Sequence, residues 1–502
     1  MQNNATNRAR TGVAGLDEVT NGGLTYGNVF LLEGSPGTGK TTIAMQFLME
    51  GIKVGDICLY VTLSETAREL RDGALSHGWT LDDRITIFEV APPESLLDAD
   101  QQQSLLYSSD FELGETTKLI FEAFERIRPQ RVVLDSLSEI RLLAQSSLRY
   151  RRQILPSNHY FARHNATVLR LDDMTSEGFD KTVHSIVHGV VKLEEMTPNF
   201  GANRRRLRVT KYRGNQFSGG FHDFVINKGG VSVFPRLVAA ETPQQFQRIS
   251  MPTGIAALDR LLGGGIEQGS STLVLGPAGT GKSTFIFQFI AAAIARGEKA
   301  AYFVFDEELG LLFNRTKSMG FDLEALRAQG QLHIEQVDAA EMSPGEFAHR
   351  VRDRVSQANA KTVVVDSLNG YQSSMPEEHS LVLHIHELIQ HLNRLGASTF
   401  LTVAQHGLIC DMQAPVDVTY LADTVVLLRY FEAHGTVRRA VSVIKKRTGH
   451  HEDTIREYRI GPTGLILGEP LREFQGILRG VPDFVGGANP LLNEEGDSRA
   501  AP

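Results

Sequence analysis

An α/β protein made of two tandem copies of one domain, each a mainly parallel sheet with helices on both faces, is the fold class that the sequence predicts. Three observations carry this. The stretch Gly34-Ser35-Pro36-Gly37-Thr38-Gly39-Lys40-Thr41 returns as Gly276-Pro277-Ala278-Gly279-Thr280-Gly281-Lys282-Ser283. Lys282 lies 242 positions after Lys40 (282 − 40), and the same offset joins Gly12 to Gly254, Asp17 to Asp259, Gly22-Gly23 to Gly264-Gly265 and Glu65 to Glu307. An ungapped register of that length means duplication. Finally, apolar runs of strand length alternate with helix-patterned segments in both halves, which predicts parallel strands with the ligand at their C-terminal edge.

The elements follow in order. Thr11-Gly12-Val13-Ala14-Gly15-Leu16-Asp17 and Asn21-Gly22-Gly23-Leu24 read as a short helix and a glycine turn leading into the strand Val29-Phe30-Leu31-Leu32. The G-x-x-x-x-G-K-T loop after it is a P-loop: its glycines permit the dihedrals that turn successive N–H groups toward a polyphosphate, and the next helix adds its N-terminal dipole. Gly37, Thr38, Gly39, Lys40, Thr41 and Thr42 are the candidate nucleotide-binding residues of the first half, with Lys40 on the β- and γ-phosphates and Thr41 on Mg²⁺. Gly279, Thr280, Gly281, Lys282, Ser283 and Thr284 are their counterparts.

The P-loop helix is expected to end near Gly51. Cys58-Leu59-Tyr60-Val61-Thr62-Leu63 then reads as a buried strand ending at Ser64-Glu65, followed by a helix with Leu70, Ala74 and Leu75 on its inner face and Trp79 packed in the core. Residues from Ala91 to about Gly114 read as an irregular polar excursion. Arg131-Val132-Val133-Leu134-Asp135-Ser136 returns as Thr362-Val363-Val364-Val365-Asp366-Ser367. An apolar run ending in Asp downstream of a P-loop is the Walker B pattern, which makes Asp135 and Asp366 candidate Mg²⁺ residues with Thr41 and Ser283. Asn165 to Leu171 and Ala397 to Val403 add one more strand to each half. The expected division is a first domain over 1–240, a linker over 241–250, a second domain over 251–480 and a flexible tail over 481–502.

Composition narrows the function. With 502 residues the chain exceeds a single core, and it is 41% hydrophobic, 22% charged and carries a net charge of −8, so nothing global draws it to nucleic acid. Two cysteines, Cys58 and Cys410, exclude a four-cysteine zinc site and a disulfide framework within one chain and suit a reducing cytoplasm. The longest apolar stretch, Phe285 to Ala295, is broken by Gln288 and follows a P-loop, so it reads as a buried helix rather than a membrane span.

Together with the T-G-[IV]-x-x-L-D segment that opens each half, and with Lys211-Tyr212-Arg213 and Lys445-Lys446-Arg447 near each domain end, these motifs resemble the KaiC family, double-domain ATPases of the RecA-like class. The resemblance spans residues 8 to 480. It implies two stacked rings in a homo-hexamer, ATP and Mg²⁺ as cofactors, and a cytoplasmic regulatory assembly of clock-like or stress-signalling type. It also implies that Lys211, Arg213, Lys445 and Arg447 reach the nucleotide of the adjacent subunit, where positive charge favours phosphoanhydride hydrolysis. The five-residue cluster Arg204 to Arg208 just upstream reads as solvated or inter-subunit.

Two departures matter. The family carries adjacent glutamates after the second strand, the first serving as base for the attacking water. Here the first half has Ser64-Glu65 and the second Asp306-Glu307, so Glu65, Asp306 and Glu307 are the candidate catalytic residues and the first site is expected to hold nucleotide more than to hydrolyse it. The family's autophosphorylated Ser-Thr pair falls on Thr419-Tyr420, which makes these the candidate phosphorylation sites; the phenol of Tyr420 needs a different alignment for in-line attack, and packing is its alternative role. The segment Leu471 to Leu478 resembles the helix-like region that leads to a partner-binding tail, so KaiB-like or other regulatory proteins are the implied partners. Two rival functions remain: a DNA-dependent RecA/RadA-type recombination or helicase ATPase, and a nucleotide-stabilised signalling scaffold with little catalysis.

Overall fold

The computed structural model describes residues 8–90, 105–144, 146–174, 182–198, 201–241, 246–373, 378–405, 419–462, 464–479 and 483–486. The chain divides into two compact units, Met1–Arg236 and Leu237–Pro502, each a RecA-like α/β domain. In the first, nine strands run from edge to edge in the order Gly230–Phe234, His222–Asn227, Arg204–Tyr212, Gly189–Met196, Val29–Glu33, Thr167–Asp172, Arg131–Asp135, Cys58–Thr62, Ile85–Glu89. The six from Gly189–Met196 onward are parallel, and the remaining three continue the sheet antiparallel. The second unit repeats the plan with Leu332–Gln336, Lys299–Val304, Ala360–Asp366, Ser398–Ala404, Ser271–Gly276, Thr424–Ala433, Thr436–Lys446, Arg456–Gly461 and Gly464–Pro470.

Strand alternation splits each core in two. Phe30, Leu32, Tyr60, Val133, Leu169 and Leu171 pack on one face with Ile43, Phe47 and Leu48 of the helix Lys40–Val54. Val29, Leu31, Leu59, Val61, Val132, Leu134 and Val168 pack on the other with Ile120, Phe124, Ile154 and Phe161. Strands covered on both faces are why these runs are continuously apolar. The central strands place Glu33 and Asp172 side by side at one edge, with Asp135 next along, so the P-loop and the Walker B residue meet where the parallel strands end.

Several elements differ from the sequence expectation, each for a physical reason. The P-loop helix runs through Gly51 to Val54 and is capped by Gly55 in the left-handed region. Gly51 sits inside it because a Cβ there would lie 2.5 Å from Cδ of Arg131. That buried arginine donates to Phe47 O and Arg10 O and pairs with Asp56 at 2.7 Å. Leu75 is exposed, and the inner face of the helix Ala67–Ser76 is Leu70 and Ala74. Trp79 packs against the core, stacked on His77. The polar excursion gives way to the helix Leu105–Ile127, which begins well before Gly114.

Arg204 to Arg208 form a strand in which Arg205 and Arg206 pair with Glu195 and Glu194, while Arg206 and Arg208 lie over Phe221. The segment from Leu471 is not a helix: Phe474–Gln475 pairs as a short strand with Asp483–Phe484, and Ile477–Arg479 is one 3₁₀ turn. That pairing takes in Asp483 and Phe484 of the expected tail. Within the expected linker, residues 242–245 lie outside the described residues, as does Cys410; the turn Ala239–Glu241 before it lies in the second unit, where Glu387 accepts from Ala239 N.

Candidate functional site

Each P-loop is held in shape by its own side chains. Thr38 Oγ1 donates to Ser35 O at 2.7 Å and Thr280 Oγ1 to Pro277 O at 2.9 Å, closing the loop on itself. Gly37, Gly39, Gly279 and Gly281 all lie at φ between 78° and 95°, where a side chain is strained. A Cβ on Gly281 would also stand 2.5 Å from Ile460 Cδ1, and one on Gly39 2.6 Å from Ile226 Cδ1. Lys40 and Lys282 start their helices and fold back, each Nζ donating to two loop carbonyls: Gly34 and Ser35 at 2.8 and 2.9 Å, Gly276 and Pro277 at 2.9 Å. A glycine cradle, an ammonium at its mouth and a helix N-terminus fit a nucleotide's phosphates.

The Walker B carboxylates differ between copies. Asp366 accepts from Ser283 Oγ at 2.7 Å, Tyr302 OH at 2.8 Å and Thr402 Oγ1 at 2.5 Å, so it is saturated with hydroxyls and joined to the P-loop serine with which it would share a metal ion. Asp135 accepts from Tyr60 OH at 2.5 Å, and the register equivalent of Thr402 is Leu171. Burial, with the charges of Glu65 and Asp173 nearby, raises the Asp135 carboxyl to about 6 despite the Tyr60 bond and Lys40. Burial lowers the Lys282 ammonium, opposed by Asp366. Thr42 Oγ1 lies 3.4 Å from His77 Nε2, while Thr284 Oγ1 faces Met319 Sδ at 3.6 Å.

The candidate water-activating residues separate further. Asp306 accepts from Ser367 Oγ at 2.6 Å, which fixes it beside Asp366. In the first unit Ser64 stands in place of that carboxylate, and the matching Ser136 Oγ is buried with no hydrogen-bond partner among the described residues. Glu307 is clamped by Arg315 through two bonds of 3.0 and 2.7 Å. Glu65 has Gly73 at the corresponding position and no such clamp; its carboxyl is raised by burial and by Glu69 and Asp173. Glu308 caps the next helix, accepting from Gly310 N and Leu311 N.

The two K-x-R elements share one arrangement. Lys211 Nζ donates to His184 O and Arg213 Nη2 to Ser185 O. Lys445 Nζ donates to Thr419 O and Ala422 O at 2.9 and 2.8 Å, and Arg447 Nη2 to Tyr420 O at 2.7 Å. The middle residue anchors each element to the glycine turn near the start of its unit: Tyr212 OH donates to Gly23 O, and Lys446 Nζ to Leu262 O and Gly265 O. Thus the segment carrying Thr419 and Tyr420 is held through its carbonyls, and the Tyr420 side chain is exposed in this chain. Sequence reasoning missed Arg315, Tyr60, Tyr302, Thr402 and Asp173. Strand order brings Tyr60, Tyr302, Thr402 and Asp173 to the site, although Tyr60 and Tyr302 share the 242-residue offset, and Arg315 reaches Glu307 from the helix that follows it.

Strand, glycine loop, helix and strand-end aspartate, present twice, define a tandem P-loop ATPase of the RecA-like class. A family model described as "ATPase: KaiC" matches residues 9–238 and 251–472. The chain belongs to the KaiC family of ATPases, which bind nucleotide. It is 28% identical over 487 residues to the circadian clock protein KaiC3 of Synechocystis sp., covering 95% of each chain. It is 28% identical to the circadian clock oscillator protein KaiC of Thermostichus vulcanus (94% of this chain, 91% of that one) and 26% to that of Synechococcus elongatus (96% and 93%). Among the described residues no helix is long and apolar enough to cross a membrane.

Proposed function

We propose that this chain is a cytoplasmic, nucleotide-driven regulatory ATPase whose two sites are unequal: the second hydrolyses ATP and the first chiefly holds nucleotide. The observation that carries this is the pair Asp306–Ser367, set against Ser64 and an unpartnered Ser136 Oγ. A carboxylate fixed beside the Walker B residue can take a proton from water; a serine at neutral pH cannot. Gly37 to Thr42 and Gly279 to Thr284 would cradle the phosphates, and Mg²⁺ shared by Thr41 with Asp135 and by Ser283 with Asp366 would neutralise their charge. Asp306 and Glu307 orient and deprotonate the nucleophile in the second site, with Glu65 alone in the first.

Lys211, Arg213, Lys445 and Arg447 would complete sites across subunit boundaries in a homo-hexameric double ring. Their resting bonds to the 184–185 and 419–422 carbonyls mean that reaching a neighbour's phosphate must loosen that segment. In the second unit the loosened segment carries the Thr419 hydroxyl, the better candidate for autophosphorylation. The similarity to circadian clock proteins supports a regulatory output, and KaiB-like or other regulatory proteins are the partner class we propose.

ATP turnover and site-mapped mass spectrometry of the full chain, compared with Lys40→Ala and Lys282→Ala, test the reading. Turnover should survive Lys40→Ala and fall at least tenfold in Lys282→Ala. The reverse pattern would overturn the assignment of sites. Phosphate on Thr419 that disappears in Lys282→Ala would establish the kinase activity, and ATP consumption without it would restrict the chain to an ATPase. The scaffold reading keeps one favourable observation, the orphaned Ser136, and applies to the first site only.

A further inference from the structure

The first P-loop lysine is fully engaged, and the second is not. An ammonium has three donors. Lys40 spends two on Gly34 O and Ser35 O, and its third faces Asp173 Oδ1 at 2.8 Å. Lys282 makes the same two carbonyl bonds, and no carboxylate pairs with it among the described residues.

Asp173 lies just beyond the strand Thr167–Asp172, where Ser138 Oγ accepts from its backbone N at 3.1 Å. The same place in the second unit is Ala404, whose N donates to Asn369 Oδ1 at 2.8 Å. The parallel registers agree: Val29 pairs with Val168 as Ser271 pairs with Thr399, and Gly276 pairs with Ala404 one step beyond the place matched by Glu33 and Asp172. The first P-loop lysine therefore carries a paired carboxylate that the second lacks among the described residues, and Asp135 and Glu65 lie within electrostatic reach of the first site.

A P-loop lysine reaches both β- and γ-phosphates. A diphosphate asks the ammonium for one contact and can leave its bond to Asp173 in place. A triphosphate brings further negative charge to the side where Asp173 stands, so the carboxylate must either be displaced from its partner or remain against a like charge in a partly buried place. We propose that Asp173 is a specificity-determining residue that makes the first site prefer a nucleoside diphosphate to a triphosphate, while the second site, with Ala404, lacks that bias. This rests on the reading of the first P-loop as a nucleotide site.

The test uses the full chain carrying Lys282→Ala, so that only the first site binds. Dissociation constants for MgADP and for a non-hydrolysable MgATP analogue are measured by calorimetry. The diphosphate should bind at least about tenfold tighter, and Asp173→Asn should reduce that ratio by about tenfold, mainly through tighter triphosphate binding. Asp173→Glu should restore the preference, which a merely structural role for the side chain would not do. In a Lys40→Ala background, Ala404→Asp should impose a diphosphate preference on the second site, so the idea does not depend on the fold tolerating one substitution. An unchanged ratio in Asp173→Asn, with both nucleotides still binding, overturns the proposal and leaves the nucleotide site standing. Loss of both ligands from the parent first site overturns the site itself.

Discussion

Arg170 offers a test of how the first core is balanced. It is 1% exposed in the middle of the strand Thr167–Asp172, on the face otherwise built from Val29, Leu31, Leu59 and Leu134. One nitrogen donates to Ser157 Oγ at 2.7 Å, and Nε and Nη1 have no hydrogen-bond partner among the described residues. Arg170 borders a cavity of about 20 Å³ among Thr117, Ile120, Gln153 and Phe161, large enough for one water and lined by no acidic side chain among the described residues. Burial lowers the guanidinium to about 10. At the same register the second unit has Leu401, buried and apolar.

Even a buried ion pair is often replaced by apolar residues of similar volume with a gain of about 1–4 kcal/mol, and each buried polar group left unpaired costs about 1–3 kcal/mol. Ser157 is not stranded by the change, since its hydroxyl also donates to Ile154 O. Arg170→Met should therefore stabilise the first unit by about 2 kcal/mol, or about 4–8 °C in Tm for a domain of this size. Trp79, the only tryptophan, lies in that unit, so urea unfolding followed by its fluorescence, at fixed protein and nucleotide concentration, reports the first unit alone. Destabilisation by more than about 1 kcal/mol would refute the reasoning and show that Arg170 is matched by a group of opposite charge.

Three further outcomes follow from the geometry. Ser64→Asp supplies Ser136 with the partner that Ser367 has; in a Lys282→Ala background it should raise ATP turnover at least about tenfold, and a flat rate would separate hydrolysis from that carboxylate. Without nucleotide and Mg²⁺, the first unit should gain about 1 kcal/mol on acidification from pH 7 to 5, because Asp135 titrates near 6 when folded and near 3.8 when unfolded. The native state then binds more protons over that interval, so stability falls as pH rises through it; Asp135→Asn should abolish the slope seen by Trp79 fluorescence. Gly281→Ala should lower second-unit stability by about 1–3 kcal/mol, from its positive φ and the approach of Ile460 Cδ1, and calorimetry showing no change would mean that the loop can relax.

Much of the fold and half of the site were legible because they are written in contiguous residues. The P-loops, the Walker B runs and the duplication need no tertiary information, and Ser64 could be distinguished from Asp306 by counting from Lys40 and Lys282. What failed to show was whatever depends on contacts that no motif spells out. Asp173 looks like any loop acid until the parallel pairing sets it against Lys40, and Arg315 looks like a solvated helix residue until it closes on Glu307. Leu75 fits an apolar pattern yet faces outward, because two residues suffice to seat that short helix. The strand pair Phe474–Gln475 and Asp483–Phe484 escaped because two-residue strands have no period to read.

Gly51 and Arg131 have a consequence for how the two halves could diverge. The glycine clears the arginine, so it cannot gain a side chain while Arg131 stays. At the matching places the second half has Ala293 and Thr362, both buried: a methyl where there was none, and a short side chain where there was a long one. The chain thus preserves both solutions to one steric problem, and the exchange between them is a compensated swap. A chimera that placed the Ala293 helix over the Arg131 strand would collide, while one that moved helix and strand together would not.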